Sequence, residues 1–190
     1  MNKFLITLAA AVVLAAPLTS VAALPELVQS NGHTQLLVDE KPFLILGGEL
    51  GNSSASSLEY MEDVWPKARA MNINTLLAPV YWELIEPEEG RFDFDLVEGL
   101  IERARKEDIK LVLLWFGSWK NSMSAYVPSW VKRDSERFPR ALSAEGVPQE
   151  ILTPFSPANL AADRTAFSAL MQFLEKTDRR QNTVLMVQVE

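Results

Sequence analysis

Four short apolar runs recur along the chain, and each gives way to polar residues: Phe43-Leu44-Ile45-Leu46, Asn74-Thr75-Leu76-Leu77-Ala78-Pro79-Val80, Lys110-Leu111-Val112-Leu113-Leu114-Trp115-Phe116 and Thr183-Val184-Leu185-Met186-Val187-Gln188-Val189. Continuous runs of this kind read as strands buried on both faces, as in parallel sheets. Helical stripes lie between them. Leu58, Met61, Trp65, Ala68 and Met71 form the first, with Pro66 expected to kink or restart it. Val97, Leu100, Ile101 and Ala104 form the second, and Phe167, Leu170, Met171 and Leu174 the third. Ser56 with Glu59, and Asp95 with Glu98, have capping-box spacing, and Asp163 is placed to cap the third helix.

Strands alternating with helices mean parallel βαβ units. A doubly wound open sheet and a (β/α)8 barrel both satisfy that order. Ahead of them, Thr34-Gln35-Leu36-Leu37-Val38 and Phe43-Leu44-Ile45-Leu46 flank Asp39-Glu40-Lys41-Pro42 as strand, turn and strand. The second of these runs into Gly47-Gly48-Glu49, where glycines permit a bend or a close approach. From Ser118 to about Ala162 the pattern is irregular and punctuated by prolines, and a loop this long inside a domain is usually functional.

Composition narrows the chemistry. A formal charge of −7 argues against nucleic acid, which needs a basic surface. No cysteine is present, so disulfides, thiolate catalysis and Cys-type zinc sites are excluded. The single histidine, His33, lies in a polar stretch and reads as a surface residue. Residues 1–23 have the form of a signal peptide. Lys3 is followed by the apolar Phe4 to Ala16, then by Pro17 and small residues up to Ala23. The expectation is export to the periplasm or the medium, without a membrane anchor, and residues 24–190 form a single domain.

The residues after each strand carry the candidate chemistry. They are Glu49, Asn52 and Ser53; Tyr81, Trp82, Glu83 and Glu86; Trp119, Lys120 and Asn121; and Glu190. In a parallel α/β fold these share one C-terminal rim. Carboxylates, amides and indoles with little positive charge suit a neutral polyol, because amides and carboxylates bond hydroxyls and aromatic faces pack on sugar rings. They suit phosphate poorly, since Gly47-Gly48-Glu49-Leu50-Gly51 is not a dinucleotide fingerprint. Trp65 and Trp115 read as core, Trp130 equally as a site residue or an anchor of the long loop, and Glu86 as a holder of local loop structure.

Several motifs now resemble a known family. Tyr81-Trp82-Glu83-Leu84-Ile85-Glu86-Pro87-Glu88-Glu89-Gly90-Arg91-Phe92-Asp93-Phe94 resembles the second-strand signature of clan A retaining glycosidases. Gly47-Gly48-Glu49-Leu50-Gly51-Asn52-Ser53-Ser54, Trp115-Phe116-Gly117-Ser118-Trp119-Lys120-Asn121 and Arg137-Phe138-Pro139-Arg140 resemble a bacterial branch of the family 35 β-galactosidases, near family 42. The resemblance runs from about Leu36 to Glu190. It implies a (β/α)8 TIM barrel, present here as its first half and ending at strand four. It implies a retaining exo-acting enzyme on terminal β-galactosides, in oligo- or polysaccharides.

By the same resemblance Lys120 and Asn121 align with a segment that touches the galactose, Glu49, Trp82 and Glu83 are more loosely placed in substrate binding, and the implied mechanism requires no metal or organic cofactor. Trp119 and Glu190 join the substrate-binding candidates from their places at strand ends. In the family the last strand reads V-Q-V-E-N-E, with the acid/base as its second glutamate. Val187-Gln188-Val189-Glu190 matches its first four letters, so the acid/base is expected two positions after Glu190, and the nucleophile on a later strand. The expectation is therefore an N-terminal fragment, inactive alone. The alternative is a non-catalytic carbohydrate-binding half-barrel.

Overall fold

The computed structural model describes residues 23–179 and 182–189. Residues 1–22 of the expected leader, and Glu190, lie outside the described residues. A small antiparallel sheet comes first: β1 (Glu26–Ser30), β2 (His33–Val38) and β3 (Lys41–Pro42). Its first strand is absent from the apolar pattern. The signal was in the turn. Asn31 and Gly32 take φ of 51° and 81°, the two left-handed positions of a tight hairpin that Asn-Gly favours. His33 is exposed, at the start of β2.

The main sheet holds β4 (Gly47–Glu49), β5 (Thr75–Tyr81), β6 (Lys110–Phe116) and β9 (Val184–Val189) in the order β4-β5-β6-β9, all parallel. The remaining elements are α1 (Leu58–Met61), α2 (Val64–Ala70), α3 (Trp82–Ile85), α4 (Asp95–Lys106), α5 (Ser129–Arg133), the hairpin β7 (Arg140–Leu142) and β8 (Pro148–Leu152), and α6 (Pro157–Thr177). The fold is α/β with a parallel sheet, as its strand–helix alternation predicts. Among the described residues no helix is long and apolar enough to cross a membrane.

The core lies between the sheet and its helices. Leu76, Ala78 and Val80 of β5 and Leu111 and Leu113 of β6 meet Trp65, Leu100, Ile101, Ala104, Ala166 and Leu170. The central strands behave as predicted, buried almost throughout. β9 does not. Leu185 is buried, but Met186, Gln188 and Val189 are exposed, because β9 pairs with β6 along one edge and is an outer strand of the described sheet.

Four local expectations are corrected. Phe43–Leu46 forms no ladder. The Asn74 side chain holds it extended instead, accepting from Leu46 N at 2.8 Å and donating to the Leu44 carbonyl at 2.8 Å. The first sheet strand is the glycine pair with Glu49. The first helix is capped by Ser57, whose hydroxyl accepts from Tyr60 N, and not by Ser56. The second starts at Asp95, with Asp93 Oδ1 accepting the Asp95 amide at 3.0 Å. The third begins at Pro157 behind the cap Ser156, which leaves Asp163 inside the helix and free for another task. Pro66 does divide its helical stripe: α1 and α2 are separate, and Pro66 sits in the first turn of α2, where its missing N–H costs nothing.

One buried carboxylate ties three elements together. Asp178, just past α6, pairs with Arg105 of α4 at 2.8 Å and accepts the backbone N–H groups of Thr183 and Val184 at 2.9 and 2.7 Å. Arg105 also donates to Thr183 Oγ1 at 2.9 Å and to the Thr177 carbonyl at 2.8 Å. Asp178→Ala leaves a guanidinium and two amides without their acceptor. It is expected to cost about 3–5 kcal/mol, read as a lowered urea midpoint. In solution the exposed apolar side chains near the sheet's edges, Leu44, Leu46, Met186 and Val189, are expected to drive concentration-dependent self-association, measured by light scattering on eluting peaks.

Candidate functional site at the strand ends

The parallel register sets where each candidate stands. Tyr81 pairs with Phe116, and Trp115 with Val189, so β5, β6 and β9 end together. β4 stops lower, because Glu49 pairs with Leu77, well before Tyr81. The loop after β4 climbs the remaining height: Leu50 N donates to the Leu77 carbonyl at 3.0 Å, and Ala55 N donates to the Tyr81 hydroxyl at 3.2 Å. Glu49 is thus an exposed carboxylate partway up the edge strand, below the rim where it was expected.

At the rim proper an aromatic cluster forms. Tyr81 meets Phe116 edge-on at 5.8 Å and Tyr126 at 5.3 Å, and Phe116 meets Tyr126 at 5.1 Å. Burial pushes the Tyr81 hydroxyl above the usual phenol range. It therefore stays a neutral hydrogen-bonding group. The Tyr126 hydroxyl lies 3.2 Å from Ser53 Oγ, which joins the first-strand loop to the third. The Lys120 ammonium sits 4.5 Å from the centre of the Phe116 ring, a cation–π contact. So Lys120, Tyr81, Phe116, Tyr126 and Ser53 come together. Tyr126 and Ser53 also follow strand ends in the sequence, but their meeting needs the register.

Asn121 is exposed beside this cluster. Lys120 and Met123 exchange backbone hydrogen bonds at 2.7 and 3.0 Å, while Asn121 and Ser122 take φ of 53° and 61°. This is a two-residue hairpin turn with both central residues left-handed, a conformation Asn tolerates well. The turn presents Asn121 at its tip.

The other predicted residues separate from the cluster. Trp82 is 0% exposed, and its indole N–H donates to Glu86 Oε2 at 2.7 Å. A ring sealed on all sides cannot stack on a sugar, so Trp82 is corrected from a binding residue to a core residue. Glu83 is half-buried and accepts from the Lys132 ammonium at 3.0 Å. Trp119 points the other way, donating to the Leu152 carbonyl at 3.0 Å and lining a cavity of about 270 Å³ with Trp115, Asn159, Asp163 and Phe167. Trp65 and Trp115 are buried, as their sequence context predicts.

Glu86 carries the loop. It is 3% exposed. Its two oxygens accept from Trp82 Nε1 and, at 2.8 Å, from Gly90 N, and its carbonyl accepts from Trp130 Nε1 at 3.1 Å. Trp130 anchors the long loop here, edge-on to Trp82 at 5.9 Å. Nearby, Glu89 receives both Arg137 nitrogens at 2.9 and 2.6 Å, and these bonds hold its carboxyl below the usual carboxylate range.

The strand ends of this parallel α/β sheet thus gather hydroxyls, aromatic rings and one ammonium. Residues 56–153 match the glycoside hydrolase family 42 model, described as "Beta-galactosidase". The chain belongs to this β-galactosidase family. It is 34% identical over 105 residues to a β-galactosidase of Xanthomonas manihotis, covering 53% of this chain and 17% of that protein. It is 30% identical over 116 residues to an exo-β-D-glucosaminidase of Pyrococcus horikoshii, covering 55% of this chain and 14% of that one. The fold matches the crystal structure of β-galactosidase from Bacillus circulans sp. alkalophilus with a TM-score of 0.62 and 20% identity, over 77% of this chain and 21% of the other. The chain therefore spans less than a fifth of the curated relatives it matches.

Two outcomes follow from the geometry. Glu86→Leu strands the buried Trp82 indole N–H, removes the acceptor of the Gly90 amide and is expected to cost about 2–4 kcal/mol, seen in urea unfolding followed by tryptophan fluorescence. The Glu89–Arg137 pair is present above the ordinary carboxylate pKa and is lost as pH falls through the lowered value of Glu89. Titration of the Glu89 carboxyl by carbon NMR is expected to show a midpoint below that of a free glutamate, and Arg137→Ala to return it to normal.

Proposed function

We propose that this chain forms the first four βα units of a (β/α)8 barrel in an exported, retaining exo-glycosidase that removes terminal β-galactosyl residues from oligo- or polysaccharides. The observation that carries the reading is the rim cluster of Lys120, Asn121, Tyr126, Ser53 and Tyr81, set at the ends of parallel strands in a chain that belongs to a β-galactosidase family. Sugar hydroxyls need both donors and acceptors, and this cluster offers an ammonium, an amide and hydroxyls beside the half-buried Tyr126 ring. Resemblance to the family 35 branch assigns Lys120 and Asn121 to the galactose. Glu49 and Glu83 stay as candidates for binding further out, and so does Trp119. The signal-peptide-like residues 1–23 support export to the periplasm or the medium.

A retaining mechanism uses two carboxyl groups about 5 Å apart. One attacks the anomeric carbon and the other protonates the leaving oxygen, then activates water. Each carboxylate nearest the described rim already has work of another kind. Glu86 is consumed by Trp82 and Gly90, and Glu83 by Lys132. This supports placing the acid/base two residues past Glu190 and the nucleophile on a later strand. A non-catalytic sugar-binding role for the chain is the alternative.

Two measurements, on two proteins, separate the readings. The 190-residue chain is expected to hydrolyse no aryl β-galactoside. The enzyme carrying the remaining barrel strands is expected to hydrolyse aryl β-galactosides at least about tenfold faster in kcat/KM than β-glucosides or β-glucosaminides, a preference of roughly 1.4 kcal/mol. Equal turnover, or a preference for the glucosaminide, would refute the galactoside assignment.

A further inference from the structure

We propose that Asp163 is a positioning residue that suspends the hairpin bearing Lys120 and Asn121. What the hairpin holds rests on the galactosidase reading; that Asp163 holds the hairpin does not. Asp163 lies well inside α6, where aspartate is a poor helix former and no end-of-helix dipole rewards it. Its two oxygens leave the helix entirely. Oδ1 accepts from the Trp115 indole N–H at 2.8 Å, and Oδ2 accepts from the Ser118 backbone N–H at 2.8 Å. One carboxylate thus bridges the end of β6 and the second residue of the loop beyond it.

Phe116 and Gly117 lie between these two anchors, and Gly117 is the one beside Ser118. A Cβ there would lie 2.6 and 2.8 Å from the Asp163 oxygens, so the close approach of chain and carboxylate requires glycine. From Ser118 the constraint passes on through hydrogen bonds. Ser124 Oγ donates to the Ser118 carbonyl at 2.6 Å and accepts from Leu152 N at 2.8 Å. Trp119 Nε1 donates to the Leu152 carbonyl. The loop is held at both ends, and the tight turn between Lys120 and Met123 is left with one direction to point. The Trp115 ring held by this carboxylate also packs on α6, 5.7 Å from the Phe167 ring.

The test uses the full chain and three variants: Asp163→Ala, Asp163→Asn, and Thr165→Ala as a control on the same helix. Amide hydrogen exchange is read at Ser118 and Met123 and, as a reference, across residues 75–81. Asp163→Ala is expected to speed exchange at Ser118 and Met123 on the order of tenfold or more, the scale of one lost charge-assisted hydrogen bond, with the reference unchanged. Asp163→Asn, which retains one acceptor oxygen, is expected to fall between, and Thr165→Ala to match wild type. The Trp115 indole N–H resonance of Asp163→Asn is expected to move.

Unchanged protection in Asp163→Ala would overturn the proposal. If that variant loses protection everywhere, the folded Asp163→Asn protein decides: an unmoved Trp115 signal overturns it, a moved signal with faster Ser118 exchange supports it. Galactose titration of the same samples separates the two readings. Wild type that binds no galactose counts against the galactosidase reading and leaves the exchange result to decide the clamp. Wild-type binding that Asp163→Asn retains in full, despite lost loop protection, overturns the positioning role.

Discussion

The register between β5 and β6 is the constraint on which the rest depends. These strands pair without a slip from Thr75 opposite Lys110 to Tyr81 opposite Phe116. A single register shift would turn every side chain to the opposite face. It would move Leu76, Ala78 and Val80 away from the helices and break up the Tyr81–Phe116–Tyr126 cluster together. Core and rim are thus fixed by one pairing, and burial of the core is what stabilises the geometry of the rim.

Around that pairing the protein uses carboxylates as internal fasteners. Glu86 holds Trp82 and Gly90, Asp163 holds Trp115 and Ser118, and Asp178 holds Arg105 with two backbone amides of the strand entry. Each lies where an apolar residue would strand polar donors, and each accepts at least two of them. A carboxylate bonded in this way is held immobile, which suits a scaffold. Acidic residues near the strand ends therefore divide by environment into those that hold loops and those that face solvent.

The strand–helix order, the two central strands and the three helical faces were legible in the sequence because burial on a sheet or a helix leaves a period in the residues themselves. Trp65 and Trp115 were legible as core for the same reason, and Glu86 as a loop holder from its place beside Pro87. Turn chemistry was legible too but easily passed over: Asn31-Gly32 announces the first hairpin, and Asn121-Ser122 the turn at the rim. The apolar run Phe43–Leu46 misled because a side-chain clamp from Asn74 gives it an extended path outside any ladder. Asp163 misled because cap spacing is local, whereas its partners are distant in the sequence.

The sequence by itself determined the family and the βα alternation, both carried by residue type and short spacing. Tertiary structure alone decided which rim residues are accessible. Trp82 and Trp119 both follow strand ends, yet one is sealed beneath Glu86 and the other turns toward α6, while Tyr126 meets Ser53 and the Phe116 ring on which Lys120 sits. The reason is physical. Pattern records how much of a side chain is buried on its own element, but the direction it faces at a strand end depends on which neighbour the register brings alongside.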